Sequence, residues 1–199
     1  MRKLPIDERG YPVPFFVQWI DGKPEFRIMD GDKLVRCVKE RLCWVCGQPL
    51  FREMVFVAGP MCAVNRLSSE PPSHRECARY AVQACPFLVK PHMTRREEGK
   101  PEGHVITEGA ILRNPGVGML WFCRRYKVEK ANPGVLFDMG SPFQVEWYAQ
   151  GRAATRQEVL DSIESGVPFL RQAASVDTEE AEEDLQMQVR FAKRYLPKR

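Results

Sequence analysis

Residues 43–47, CWVCG, and residues 73–77, SHREC, are the two stretches that decide how this chain is read. Cys43 and Cys46 stand in a Cys-x-x-Cys arrangement, which supplies two thiolates from one tight turn whose backbone amides stabilise the sulfurs. Gly47, directly after the second cysteine, is the residue such a turn needs where the backbone goes left-handed or runs unhindered. His74 and Cys77 follow with two residues between them. Ser73 stands where an N-cap belongs, and a helix is expected from near His74 to Pro86. Residues three apart on a helix share a face, so His74 and Cys77 are expected to point at one ion, with the helix N-terminus favouring negative sulfur.

The implied ligand set is Cys43, Cys46, His74 and Cys77, a Cys₃His site suited to Zn²⁺. Cys62 and Cys85 are alternative ligands: Cys62 lies close enough in sequence to replace His74, and Cys85 lies two turns along the helix from Cys77. Both also fit as buried thiols packed beneath the site. Four protein ligands leave no open position for a reactive water, so the expected role of the zinc is structural. The chain has seven cysteines, an odd number that rules out complete internal disulfide pairing.

Between the two ligand pairs, residues 51–65 are rich in Val and Phe, with a Gly59-Pro60 turn and residues 61–64 as a return strand, so a second β-hairpin is expected there. Knuckle, hairpin and helix in that order resemble a treble-clef zinc finger. That fold also underlies nucleases of the HNH type, in which Asn65 would match an asparagine position. A general-base histidine on the first hairpin strand is missing, because no histidine occurs between Cys46 and His74. A metal-dependent nuclease of HNH-like descent is therefore the secondary reading, together with a thiol enzyme in which Arg66 activates Cys62. No phosphate-binding glycine loop is present.

Outside this module, an Asp21-Gly22 turn joins two apolar runs into an N-terminal hairpin. Asp30 or Asp32 caps a short helix bearing Leu34, Val35, Val38 and Leu42, with Cys37 beside its apolar face. Residues 117–128, VLFDMG and FQVEWYA read as strands of a small antiparallel sheet. Thr155 and Glu158 fit a capping box opening a helix that Gly166 closes. A last helix carries Leu185, Val189, Ala192 and Leu196 on its apolar face, widened by Met187, Phe191 and Tyr195, with acids at its start and bases at its end. The fold class is α+β, and the expected segments are 1–42, the zinc module at 43–88, a loop and sheet at 89–150, and C-terminal helices at 151–199, within one compact unit.

The net charge of +4 is mildly basic. It is uneven: residues 1–100 carry 17 Lys/Arg against 12 Asp/Glu, and residues 101–199 carry 13 against 14. Lys90, His92, Arg95, Arg96 and Lys100 form a basic cluster after the module, and Arg124, Arg125 and Lys127 follow Trp121 and Phe122. Bases beside exposed aromatics suit phosphates and stacked nucleobases. The polar residues Asn65, Arg66, Ser68, Ser69 and Glu70, stiffened by two prolines, form a candidate recognition loop. Its alternative is a simple turn in which Arg66 pairs with Glu70.

At CWVCGQPL, GPMCAVNRLSSEPPSHRECARYAVQACPFL, LRNPGV and GRAATRQEVLDSIESG the chain resembles a family of cysteine-rich hypothetical proteins of bacteria and their phages. The resemblance implies no activity and favours a phage or prophage accessory protein. The combined expectation is a non-enzymatic, zinc-stabilised recognition protein that binds nucleic acid or a host protein. No run approaches the eighteen or so apolar residues that span a bilayer, so no membrane partner and a cytoplasmic location are expected.

Overall fold

The computed structural model describes residues 4–90, 114–132, 134–173 and 178–198, less the side chain of residue 173. Its organising element is a strand that is buried along its whole length. Strand β5 (Gly118–Cys123) lies inside a four-stranded antiparallel sheet ordered β3 (Met54–Ala58), β5, β8 (Gln144–Ala149) and β9 (Arg152–Ala153). Its sequence is apolar at consecutive positions because both faces of the sheet are covered. Met119, Trp121 and Cys123 point into the main core, and Leu120 and Phe122 into a smaller one beneath a helix. β3 follows the same alternation, with Met54 and Phe56 on one side and Val55 on the other. Register pairs Val55 with Phe122 and Phe56 with Trp121.

Three elements precede this sheet. The Asp21-Gly22 turn has positive φ at both residues and joins β1 (Val17–Ile20) to β2 (Lys23–Met29), as the sequence predicts. Helix α1 (Gly31–Glu40) is capped by Asp30, which accepts from the Lys33 amide at 3.1 Å. Cys37 is buried with Leu42 and Trp44, whereas Val35 is exposed and does not join the apolar face.

The expected second hairpin is not formed. Residues 61–64 do not return as a strand: they lie in helix α2 (Pro60–Asn65), which Pro60 opens at a position where its missing N–H costs nothing. β3 finds its partner sixty residues later in β5, so the boundary drawn at 88 does not divide the core. Strand β4 (Leu67–Ser68) leads into a second, three-stranded sheet with β7 (Val135–Asp138) and β6 (Lys127–Lys130). The expected single strand over 117–128 is thus two strands in two sheets.

Helix α3 (Arg75–Ala84) and the short α4 (Pro86–Val89) cover one sheet face through Ala78, Val82 and Leu88. α2, α5 (Arg156–Ala173) and α6 (Glu179–Ala192) cover the other. The capping box forms: Glu158 accepts from the Thr155 amide at 2.7 Å, and Thr155 Oγ1 accepts from the Glu158 amide at 3.2 Å. Gly166 does not end α5, which continues through it and Pro168. A Cβ at Gly166 would lie 2.8 Å from the Sδ and Cε of Met61, so this glycine marks the close approach of α5 to α2. Arg171 then forks onto Glu182 at 2.7 and 2.6 Å, tying α5 to α6. Leu185, Ala192 and Leu196 are buried as expected, but Met187 and Phe191 face outward. None of the described helices is long and apolar enough to cross a membrane.

Candidate metal centre

The knuckle and the start of α3 meet. Cys43, Cys46, His74 and Cys77 bring their ligand atoms within 4.8 Å of one another, and no disulfide joins them. Cys43 and Cys77 are buried, while Cys46 and His74 are half-buried. Backbone geometry at the knuckle explains the spacing. The Gly47 amide donates to the Cys43 carbonyl at 2.8 Å, and the Cys43 amide to the Gln48 carbonyl at 2.8 Å. Gly47 takes φ +68°, and a Cβ there would stand 2.7 Å from Cδ2 of Phe15. Both the turn and the ring require glycine at this position.

His74 is itself the N-cap of α3, in place of Ser73, and its side chain caps no amide. Ser73 is used otherwise: its amide and carbonyl bond to those of Val55 at 2.8 and 2.9 Å, docking the entry of α3 on β3. The His74 amide donates to Cys43 Sγ at 3.3 Å. His74 Nδ1 lies 3.3 Å from Cys46 Sγ, and Nε2 lies 2.9 Å from the Pro49 carbonyl oxygen. With Nε2 donating to Pro49, the Nδ1 lone pair is left for a metal, the pattern by which a ligating histidine is oriented by its outer nitrogen.

The sulfurs are not equivalent. A hydrogen bond from Cys77, with amides of Cys46 and His74 adding to it against the opposing effect of burial, pulls the Cys43 thiol down to about 4. That same bond, followed by burial, pushes Cys77 up, and burial pushes Cys46 up. Crowded thiols sharing protons in this way suit replacement of those protons by one divalent cation. Three thiolates and an imidazole nitrogen form a soft, four-donor set that fits Zn²⁺ better than an oxygen-seeking ion.

Cys62 and Cys85 lie outside this cluster. Cys62 belongs to α2, and burial pushes its thiol up to about 11, away from thiolate character at neutral pH. Arg66 gives it no activation. Its guanidinium sits over the Trp121 ring at 5.5 Å and the Tyr195 ring at 5.9 Å. Cys85 caps the end of α3. His74 is the one histidine among the described residues, and it is part of the cluster.

Of the candidate recognition residues, Ser68 is buried and Asn65, Arg66, Ser69 and Glu70 are half-buried. Asn65 Oδ1 accepts from the Leu67 amide at 3.0 Å, and Ser68 is buried with its hydroxyl closed on the Glu70 backbone at 2.9 and 3.1 Å. Pro71 and Pro72 are buried, and Ser69 is half-buried. The segment runs between β4, paired with β7 at the edge of its sheet, and Ser73, bonded to β3. Trp121 and Phe122 are fully buried and present no stacking face. Of the basic cluster, Lys90 is exposed, whereas His92, Arg95, Arg96 and Lys100 lie outside the described residues.

Comparison with known protein families, curated proteins and solved structures finds no match to this chain. What the molecule does must therefore be read from its own surface.

That surface carries an aromatic residue that the motifs do not announce. Phe51 follows the knuckle and is 74% exposed, with its ring 5.2 Å from that of His74. Its signal in the sequence was limited to a phenylalanine between Leu50 and Arg52, just past the Cys-x-x-Cys knuckle.

Proposed function

We propose that this chain is a non-enzymatic recognition protein whose surface is held in shape by a structural zinc ion bound to Cys43, Cys46, His74 and Cys77. One observation carries the reading: all four donors of the cluster come from the chain, and the second nitrogen of its histidine is already tied to Pro49. Such a site has no open position from which a metal-bound water would act. The ion, when bound, cross-links the knuckle to the start of α3 and adds its binding free energy to folding. The surrounding residues set the donors. Gly47 closes the knuckle, Ser73 fixes the entry of α3 to β3, and the first turn of α3 presents Cys77 where the helix dipole favours thiolate.

We read the site as a treble clef in reduced form, with the single Val55–Ser73 bridge in place of a full hairpin. The ligand class is nucleic acid or a host protein, the location is cytoplasmic, and the resemblance to phage and bacterial proteins favours an accessory role. The catalytic alternatives are weakened by the raised thiol of Cys62 and by the bond that Asn65 Oδ1 accepts from the Leu67 amide. Metal analysis of protein purified without added metal tests the reading. One zinc per chain, with loss of structure on chelation, is expected. A metal-free protein that is fully folded would overturn it.

A further inference from the structure

We propose that the strip of surface from Phe51 to Phe143, across the outer side of the metal cluster, binds single-stranded nucleic acid. The inference rests on the recognition reading above and gives it a place and a ligand class. Phe51 and Phe143 are 74% and 40% exposed. They are linked by a connected row of side chains. Phe51 rests on His74 at 5.2 Å, and Arg75, the next residue, lies over the Phe122 ring at 4.8 Å and donates to Glu53 at 3.1 Å. Glu53 also faces Arg124 at 3.9 Å, and Arg124 lies over the Phe143 ring at 4.8 Å. Phe143 meets the buried Phe122 edge-on at 6.1 Å.

Arg52 and Arg125, the sequence neighbours of Phe51 and Arg124, are also exposed, while Glu76 follows Arg75 in sequence and Glu146 lies within its electrostatic reach. Within the row itself two guanidinium groups, Arg75 and Arg124, stand against the single carboxylate of Glu53. Glu53 sits between Arg75 and Arg124 and holds both without using all their donors, since each guanidinium carries five N–H groups in a fixed fork. Pre-positioned guanidinium groups between two exposed rings match the alternation of phosphate and base along an unpaired strand. A duplex keeps its base faces stacked and has nothing to offer Phe51 or Phe143. A protein partner is the weaker fit, because protein interfaces are built on an apolar centre with charge at the rim, and here charge occupies the centre.

The test is fluorescence anisotropy with labelled oligothymidine and oligouridine of about 15 nucleotides, using the metal-loaded full chain. Binding of either strand that weakens with salt is expected. Phe51→Ala and Phe143→Ala should each weaken it roughly 5- to 150-fold, and Arg124→Ala should lower the salt slope by about one. Both rings are exposed, so circular dichroism and metal content should be unchanged in these variants. Absence of binding by zinc-loaded protein would overturn this inference and leave the structural-zinc reading standing. So would binding that both phenylalanine variants retain, or preference for an acidic polypeptide. Failure of the chain to hold metal would instead overturn the reading on which the inference rests.

Discussion

His74 Nε2 lies 2.9 Å from the carbonyl oxygen of Pro49, two residues before the exposed Phe51, while Nδ1 of the same ring lies 3.3 Å from Cys46 Sγ. One imidazole therefore joins the Cys/His cluster to the turn that carries the surface aromatic. This link predicts how substitutions at the position behave. His74→Cys keeps four soft donors and should retain one metal per chain, with a melting temperature lowered by the loss of the Pro49 bond. His74→Ala opens the site and should lose most of the metal and much of the cooperative melt. Metal-to-protein ratios and thermal melts of the two variants check this.

Thiol reactivity should follow the division of labour among the cysteines. Burial pushes Cys37 and Cys123 up to about 12 and Cys62 up to about 11, so these three should resist a thiol reagent near neutral pH in the folded protein. Chelation should expose Cys43, Cys46 and Cys77 together. The expected reading is that these three positions label first on adding a strong chelator, as placed by mass spectrometry, and that Cys37, Cys62 and Cys123 follow as structure is lost. Rapid labelling of Cys62 in the metal-loaded protein would instead favour the thiol-enzyme alternative.

Acid should weaken the start of α5 in a defined window. Bonding to Arg152 first, then to the Thr155 amide, holds the Glu158 carboxyl down at about 2, from an ordinary value of 4.5. A carboxyl with a depressed folded-state value contributes stability above its unfolded value, and that contribution disappears as pH falls through the folded one. The difference between the native chain and Glu158→Gln should be constant above about pH 5, shrink below 4.5 and vanish near 2. Comparing the two chains removes the common effect of acid on the metal site. Thr155→Ala should cost about 1 kcal/mol at neutral pH, measured by denaturant unfolding.

Two glycines should respond differently to the same change. At Gly47 a methyl group meets the Phe15 ring at 2.7 Å and the backbone is left-handed, so Gly47→Ala should cost at least about 1–2 kcal/mol and weaken metal binding. At Gly166 the backbone is helical and the nearest atoms are the flexible end of Met61. The gain of about 1 kcal/mol in helix propensity offsets the displacement of that side chain. Gly166→Ala should leave stability within about 1 kcal/mol of the native chain.

The parts that were legible in the sequence are those encoded locally. Asp21-Gly22, the Asp30 cap, the Thr155/Glu158 capping box and the two ligand pairs each lie within a few residues and signal one geometry. The pairing of β3 with β5 was not legible, because Val55 and Phe122 stand 67 positions apart and neither strand alternates in polarity when both its faces are buried. Residues 61–64 lie in a helix and not a return strand for a different reason: a proline after a glycine opens a helix as readily as it closes a turn. Gly166 looked like a helix end because a glycine needed for close contact with Met61 looks the same in sequence as a C-terminal cap. The orientation of the candidate recognition residues was not legible for a related reason. Polar residues such as Asn65 and Ser68 satisfy backbone groups when a segment is turned inward, and composition does not distinguish that from facing water.

The central claim is that Cys43, Cys46, His74 and Cys77 close around one structural zinc ion. X-ray absorption at the metal edge of the purified full chain tests it most directly. Three sulfur neighbours at about 2.3 Å and one nitrogen at about 2.0 Å, unchanged by added oligonucleotide, are the predicted result. A site with oxygen neighbours from bound water, or a folded chain that carries no metal, would contradict it.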